Sequence, residues 1–160
     1  MKSMLLREII QLPQNSTPLT YNALPEPILE AGEVLLRVTA CGVCHTELDE
    51  IEGRTPPPRL PVVLGHQVVG TVVKGVQRLP SLAVQSLGTL DSNTRVGVAW
   101  IASACGECDF CKSRQENLCP QFKATGRDVD GGYAEYMKVR ADFLHPIPDS
   151  FSDAEAAPLL

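Results

Sequence analysis

The sequence predicts a mainly β fold, a barrel or sandwich of short strands joined by many turns. Short runs of β-branched and apolar residues recur along the 160-residue chain, as half-buried strands require. Thirteen prolines and twelve glycines punctuate the stretches between these runs, and such breakers mark turns. Frequent turns are compatible with short strands and unfavourable for a helix bundle.

Four strand-like runs follow one another at Glu33–Ala40, Gln67–Val73, Arg95–Ile101 and Tyr133–Val139. Between the first two, Cys44–Ile51 is predicted to form a helix of one or two turns. Near the end of the chain, Ser152 and Glu155 have the spacing of a capping box. A helix is therefore predicted to begin at Ser152, although the few residues that follow give it little chance to bury a face.

Composition excludes several classes of function. The net charge of −5 is incompatible with a broad basic surface for nucleic acid, and 44% apolar residues suffice for a folded core. No run reaches the roughly 18–20 apolar residues that a membrane helix needs. Arg7 and Glu8 interrupt the N-terminal apolar stretch, which disfavours a signal peptide. We therefore expect a cytoplasmic protein with neither nucleic-acid nor membrane partners.

Four of the six cysteines form a compact motif with the spacing C-x2-C-x2-C-x7-C. The short gaps let successive thiolates turn back toward one point, and the longer arm supplies a fourth corner of a tetrahedron, as closed zinc sites require. Four unpaired cysteines are a poorer explanation, because so dense a group rarely serves packing alone. An iron–sulfur cluster is disfavoured because its bacterial motif has three residues before the last Cys-Pro, whereas this loop has seven residues before Cys119. The ligands are predicted to be Cys105, Cys108, Cys111 and Cys119.

A second candidate metal site combines Cys44 with His66. Each segment is weak by itself, since a lone histidine is more often a hydrogen-bonded structural residue than a ligand. One thiolate, one imidazole, a third ligand and an open position would make a catalytic zinc site. The pair Cys41 and Cys44 also forms a C-x-x-C motif, but no thioredoxin-like βαβ pattern surrounds it, so a thiol–disulfide redox protein is the weaker hypothesis.

Several motifs together resemble one family. They are GVCHTE, GHQVVG, the four-cysteine loop, GGYAEY and FSDAEAAPLL. In this order they are similar to the N-terminal, GroES-like half of a zinc-dependent medium-chain alcohol dehydrogenase, from about Glu33 to Leu160. The resemblance implies a GroES-like β-barrel with short helices and a zinc-binding loop. It also implies oxidation of alcohols or reduction of aldehydes with NAD or NADP as the cofactor.

The resemblance implies roles for individual residues around the catalytic zinc. Cys44 and His66 match two ligands, and Glu47 matches the acidic residue that orients the zinc-bound histidine. Thr46 matches the catalytic hydroxyl that accepts the alcohol's proton, while its alternative role is a helix N-cap. His45 matches a position whose side chain approaches the cofactor pyrophosphate.

Two further residues complete this expectation. Trp100 lies where related enzymes place an aromatic wall of the alcohol pocket. Cys41 matches no ligand and is predicted to be a small buried thiol.

The reaction needs zinc because an alcohol is too weak an acid to lose its proton at neutral pH. A Lewis acid stabilises the alkoxide, which can then give up a hydride.

Some positions depart from the family pattern. Gln67 stands where the family has Glu, which predicts a zinc site of higher net charge and altered ligand exchange. Asp49 stands where many relatives have a histidine, which forms the outer end of the relay that carries the alcohol's proton to solvent. Two alternatives follow: Asp49 accepts the proton through water, or the relay in this protein is shorter. The turn at 93–97 reads Asn-Thr-Arg-Val-Gly instead of Gly-Asp-Arg-Val-Gly. The segment Gln77–Ser92 before it is longer than usual, which predicts a surface hairpin extension.

Two parts of a complete dehydrogenase are not found in these 160 residues. The family's third zinc ligand follows the AAPLL motif, which here ends at Leu160, and no Gly-x-Gly-x-x-Gly nucleotide motif occurs. We expect residues 1–150 to form the GroES-like catalytic domain, without a Rossmann domain in this chain. Residues 151–160 then begin the connection to a missing nucleotide-binding domain, which would cover one apolar face.

This organisation leaves two hypotheses about function. In the first, the chain is the catalytic domain of an alcohol dehydrogenase and is inactive when isolated. The alternative is a stand-alone, non-catalytic zinc-binding β-domain with a structural or interaction role. The presence of Cys44, His45, Thr46 and His66 favours the first, because a structural module needs no open metal site.

Overall fold

The computed structural model describes residues 1–75 and 90–160, and within them the prediction of a mainly β fold with short helices is confirmed. The strands are β1 (Lys2–Leu6), β2 (Leu19–Ala23), β3 (Glu33–Cys41), β4 (Val62–Val63), β5 (Val68–Gly75), β6 (Arg95–Val98), β7 (Ile101–Ser103), β8 (Lys123–Ala124), β9 (Tyr136–Arg140) and β10 (Leu144–Pro146). The helices are α1 (His45–Ile51), α2 (Asp109–Lys112) and α3 (Asp153–Ala156), with 3₁₀ turns at Glu116–Leu118, Ala141–Phe143 and Ala157–Leu159. The extension predicted at Gln77–Ser92 lies outside the described residues except for 90–92. Of the helices described, none combines the length and the apolar character needed to cross a membrane.

A five-stranded antiparallel sheet in the order β10-β6-β5-β3-β9 forms the centre of the fold. Its longest strand, β3, pairs with β5 on one side and with β9 on the other. Val34, Leu35 and Leu36 are all fully buried, so both faces of β3 are covered where it begins. The main core gathers side chains from every strand of this sheet, including Val34, Leu36, Val68, Val96, Met137 and Leu144.

The predicted strand Arg95–Ile101 is in fact two strands, β6 and β7, which belong to different sheets. The chain leaves the central sheet at Ala99 and Trp100, whose carbonyl oxygens accept hydrogen bonds from the hydroxyl and the backbone N–H of Thr125 at 3.1 and 2.8 Å. β7 then pairs with β8 as a two-stranded ribbon. The four-cysteine loop lies between these two strands and is therefore anchored at both ends.

A second, three-stranded sheet in the order β2-β1-β4 lies beside α1. Leu6 of β1, Ile51 of α1 and Val62 of β4 share a core cluster with Leu64. Burial of this cluster fixes α1 against the segment between β4 and β5, and that segment carries His66.

The C-terminal helix α3 begins as predicted, with a capping box between Ser152 and Glu155. The expectation that this segment would bury little is wrong. Ala156 and Ala157 are buried against Val69 of β5, because small side chains let a short helix approach the sheet closely. Residues 153–157 are therefore part of the packed fold.

Candidate metal centres

The antiparallel pairing of β3 and β5 brings Cys44 and His66 together. Cys41 at the end of β3 pairs with Val68 at the start of β5. Cys44 lies three residues after Cys41, and His66 lies two residues before Val68. Because the strands are antiparallel, both residues lie beyond the same end of the sheet. A backbone hydrogen bond from the N–H of Gly42 to the carbonyl of Gln67, at 2.8 Å, extends the pairing by one step.

The first turn of α1 fixes Cys44 and Glu47. The Sγ of Cys44 accepts the N–H of Thr46 at 3.3 Å, while the N–H of Cys44 donates to Oε2 of Glu47 at 2.8 Å. This reciprocal arrangement is a capping box with Cys44 as the N-cap. The alternative prediction that Thr46 is the N-cap is therefore wrong, since Thr46 is the second residue of the helix.

His66 contacts Cys44 and Glu47 through its two ring nitrogens. Nε2 lies 3.5 Å from the Sγ of Cys44, and Nδ1 lies 2.7 Å from Oε1 of Glu47. Neither Nδ1 nor Oε1 has another hydrogen-bond partner among the residues described. We assign the proton to Nδ1, which donates to Glu47, so that the lone pair of Nε2 faces the thiol.

The electrostatics of the site favour an ionised Glu47. Burial raises its pKa, but the contacts with His66 and with the N–H of Cys44 outweigh burial and leave the pKa below its usual value. Glu47 is 2% exposed and His66 is 5% exposed, so water screens this pair little. A buried carboxylate against Nδ1 fixes the orientation of the ring.

The pair Cys44 and His66 fits a tetrahedral metal ion. Zinc–sulfur and zinc–nitrogen bonds of ordinary length, at a tetrahedral angle, separate the two donor atoms by about 3.6 Å, and the observed separation is 3.5 Å. A carboxylate oxygen of Glu47 also lies within 4.8 Å of both donors. Because Glu47 already accepts from His66 and from Cys44, it is better placed to orient the histidine than to bind the metal.

Gln67, the residue that departs from the family pattern, faces the C-terminal turn. Its Nε2 donates to the carbonyl oxygens of Pro158 and Leu160, each at 3.3 Å. A carboxylate at this position has no proton to donate, so the structure gives the glutamine a bonding role. The predicted effect on the net charge of the zinc site stays a prediction.

The other predicted site residues lie around this cluster. His45 is exposed on the first turn of α1 and Thr46 beside it is half-buried, and both directly follow Cys44, the N-cap of this helix. Asp49, further along α1, pairs with Arg54 at 2.5 Å. Trp100 lies on the separate link between β6 and β7 and is 37% exposed. The structure thus brings Cys44, Glu47 and His66 into contact and leaves His45 accessible.

The four-cysteine loop folds its sulfur atoms around one point. The Sγ atoms of Cys105, Cys108, Cys111 and Cys119 all lie within 4.8 Å of one another. Two of these separations are 3.8 Å (Cys105 to Cys111) and 3.5 Å (Cys108 to Cys111). A tetrahedral zinc with four thiolates sets its sulfur atoms about 3.8 Å apart, so the loop fits this metal.

Backbone N–H groups stabilise the sulfur atoms of the loop. The N–H of Cys108 donates to Cys105 at 3.4 Å, and the N–H groups of Cys105 and Gln121 donate to Cys119 at 3.5 and 3.4 Å. Backbone hydrogen bonds, led by that from Glu107, lower the pKa of Cys105 to about 6, whereas burial raises the pKa of Cys111 to about 12. A bound cation is needed to hold all four as thiolates.

Comparison with known proteins identifies the family. Residues 30–149 match the family model described as "Alcohol dehydrogenase GroES-like domain".

The chain belongs to this family.

Individual relatives agree with this assignment. An alcohol dehydrogenase of Geobacillus stearothermophilus is 47% identical over 135 residues, which are 84% of this chain and 38% of the relative. The crystal structure of the alcohol dehydrogenase of Aeropyrum pernix superimposes with a TM-score of 0.81 at 26% identity, over 99% of this chain and 44% of that one. Acetophenone reductase of Geotrichum candidum, solved in complex with NAD, gives a TM-score of 0.76 at 31% identity. The match covers 98% of this chain and 42% of that one. The chain spans about two fifths of the length of these proteins, and the resemblance to zinc-dependent medium-chain alcohol dehydrogenases is confirmed.

The GroES-like domain also contains a buried acid that the sequence reading missed. Glu50 is 1% exposed, and its Oε1 has no hydrogen-bond partner within the described part of the chain. Burial first, and then the charge of Glu47, raises the pKa of Glu50 to about 8. Helical spacing in the sequence could have indicated that Glu50 is buried. Glu50 lies three residues after Glu47, on the helix face that also buries Ile51.

Cys41 takes no part in the cluster of Cys44, Glu47 and His66. It is half-buried, and burial together with the charge of Glu47 raises the pKa of its thiol to about 12. Its Sγ occupies the space beside Gly65 and Gly132, where an added Cβ would lie 2.8 Å away. Cys41 was expected to be a buried thiol, and the structure shows a half-buried thiol that packs against the main core.

Proposed function

We propose that this chain is the zinc-binding catalytic domain of an alcohol dehydrogenase that oxidises alcohols or reduces aldehydes with NAD or NADP. The observation that carries the proposal is the 3.5 Å separation of the Cys44 and His66 donor atoms, with Glu47 behind the imidazole. A structural metal site has a closed set of four protein ligands, as the cysteine loop supplies. A site with two such ligands leaves coordination positions for a further ligand and for substrate.

The residues around this site have complementary tasks. A bound zinc supplies the Lewis acidity that lowers the pKa of an alcohol. The hydroxyl of Thr46, two residues from Cys44, accepts the proton that the alcohol loses and passes its own toward solvent. Glu47 keeps the proton of His66 on Nδ1. The exposed His45 binds the pyrophosphate of the cofactor, and Trp100 forms one wall of the alcohol pocket.

The four-cysteine loop has a structural role in this proposal. A zinc ion bound by its thiolates would stabilise the polar residues between β7 and β8, which contribute only a few side chains to the core. Folding energy of this kind comes from metal binding itself.

Residues 1–150 would form the catalytic domain and residues 151–160 the connection to a nucleotide-binding domain. Support comes from the chain's share of its relatives' length, which is 38% for the Geobacillus enzyme. Val43 and Leu159 are large apolar residues that are 74% and 69% exposed, and a nucleotide-binding domain would cover apolar side chains of this kind. Because no dinucleotide motif occurs in the 160 residues, we expect the chain by itself to bind zinc without oxidising alcohols.

Metal analysis and a fusion test this proposal. We expect zinc in the purified chain, with the share bound by the cysteine loop lost in Cys111→Ser and retained in His66→Gln. Joining the chain to the nucleotide-binding half of the Geobacillus relative is expected to give NAD-dependent alcohol oxidation. Thr46→Ala should lower the turnover of this fusion about a hundredfold or more, and Thr46→Ser should retain most of it.

Two outcomes would contradict the proposal. Iron in the loop, or no metal at all, would remove the basis for both zinc sites. A fusion that binds zinc at both sites yet oxidises no alcohol would favour the alternative of a stand-alone zinc-binding domain.

A further inference from the structure

A cationic and aromatic cluster lies beside the link between β6 and β7. The ring of Trp100 packs on Phe122 with centroids 5.3 Å apart at an angle of 55°. The guanidinium carbon of Arg127 lies 5.7 Å from the centroids of both rings. At these distances the cation attracts the π-systems of both rings, so Arg127 restrains the indole and the phenyl ring together.

Asp128 fixes the guanidinium of Arg127. Its Oδ2 accepts from Nη2 and Nε of Arg127 at 2.8 and 3.2 Å, and it also accepts the backbone N–H of Ala124 at 2.7 Å. Arg127 is 23% exposed in its side chain and Asp128 is 19% exposed. Because both side chains are largely shielded from water, the charge-assisted hydrogen bonds between Arg127 and Asp128 hold the guanidinium in one orientation.

The loop that carries Arg127 is pressed against the segment that carries His66. Gly126 has a φ of +81°, and a Cβ added to it would lie 2.8 Å from the backbone nitrogen of Gly65. The N–H of Gly131 donates to Val63 at 2.8 Å, and the N–H of Gly132 donates to Gly65 at 2.8 Å. Arg127 is therefore held by backbone that also positions the metal-binding histidine.

We propose that Arg127 is a positioning residue that fixes the indole of Trp100 as a wall of the alcohol pocket, with Asp128 as its anchor. The proposal rests on the proposed function for the role of Trp100 in the pocket. The contact itself does not depend on that function, since it is formed within the described residues of this chain. Without Arg127, the indole keeps its contact with Phe122 but loses its contact with the cation.

The chain offers a direct probe, because Trp100 is its single tryptophan. We would measure acrylamide quenching of its fluorescence in the zinc-loaded chain for Arg127→Met, Arg127→Lys, Asp128→Asn and the control Arg59→Met. Arg59 is a matched control because it belongs to a different loop and pairs with Asp130 at 3.1 Å. Zinc content and far-ultraviolet circular dichroism would show that each variant is folded.

In Arg127→Met we expect a red-shifted emission and a higher quenching constant. If quenching scales with exposed area, the increase stays below about 2.7-fold, the ratio of full exposure to the 37% exposure of Trp100. Asp128→Asn keeps an acceptor for Ala124 but loses the charge that anchors Arg127, so an intermediate increase is expected. Arg127→Lys keeps a cation over the rings and should restore much of the protection.

The proposal is overturned if Arg127→Met and Asp128→Asn are quenched no more than Arg59→Met. It is also overturned if Arg127→Lys behaves like Arg127→Met in a folded chain, since a cation would then be irrelevant. Failure of the proposed function has a different signature, because it would appear as a fusion protein that binds zinc at both sites and oxidises no alcohol. The quenching comparison decides the role of Arg127 in either case.

Discussion

Replacing Glu47 by glutamine tests whether the carboxylate behind His66 controls metal binding. Each carboxylate oxygen of Glu47 accepts one hydrogen bond: Oε1 from Nδ1 of His66 at 2.7 Å, and Oε2 from the backbone N–H of Cys44 at 2.8 Å. A glutamine has one carbonyl oxygen and one NH₂ group, so one of the two donors must then face another donor. An unsatisfied buried donor costs about 1–3 kcal/mol.

The same figure follows from metal sites in general. Loss of the partner that orients a ligating histidine lowers metal affinity about 10- to 100-fold, which corresponds to about 1.4–2.7 kcal/mol. We therefore expect Glu47→Gln to weaken zinc binding at Cys44 and His66 by that factor. The four-cysteine loop should keep its metal.

Competition with a chromophoric chelator, after the cysteine loop has been saturated, measures this affinity. Glu52→Gln is the matched control, because it removes the same charge five residues further along the chain. Glu52 pairs with Arg54 and not with His66. Equal losses in the two variants would show that net charge is responsible and not the contact with His66. An unchanged affinity in Glu47→Gln would refute the role assigned to this carboxylate.

Two further predictions concern Glu50 and Gln67. The pKa of Glu50 is raised from 4.5 to about 8 in the folded chain, so the folded state binds its proton more tightly than the unfolded state. The stabilisation is complete below pH 4.5 and is lost as the pH rises to about 8, by about 1.4 kcal/mol per pH unit. Glu50→Gln should flatten this slope in urea unfolding at pH 5.5, 7 and 8.5, and parallel slopes would count against a buried, protonated Glu50. Gln67→Glu places a carboxylate against the carbonyls of Pro158 and Leu160 in a half-buried position, so the free energy of unfolding should fall by about 0.5–1.5 kcal/mol. In the complete enzyme Gln67→Glu should also change turnover and the pH profile, and no change in either would contradict the predicted charge effect.

Local sequence patterns predicted the elements whose contacts lie close together in the chain. The capping box at Ser152 and the helix after Cys44 depend on residues three apart, and both are present. The run Arg95–Ile101 was not recognisable as two strands, because its break depends on hydrogen bonds from Thr125, about 25 residues away. The buried position of Glu50 was missed for a similar reason, since the core against α1 is supplied by distant strands.

The two candidate metal sites differ in the same way, because one depends on local spacing and the other on distant contacts. Cysteine spacing by itself determined the four-cysteine site, because fifteen residues with short gaps can reach one common point without help from the rest of the chain. Cys44 and His66 are 22 residues apart, and motif resemblance associated them without showing how they meet. Tertiary structure decided that contact through the antiparallel pairing of Cys41 with Val68, which places the two side chains at one end of the sheet with Glu47 behind the histidine. Pairing of strands far apart in the chain depends on the burial of a shared core, and a single sequence carries no local signal for it.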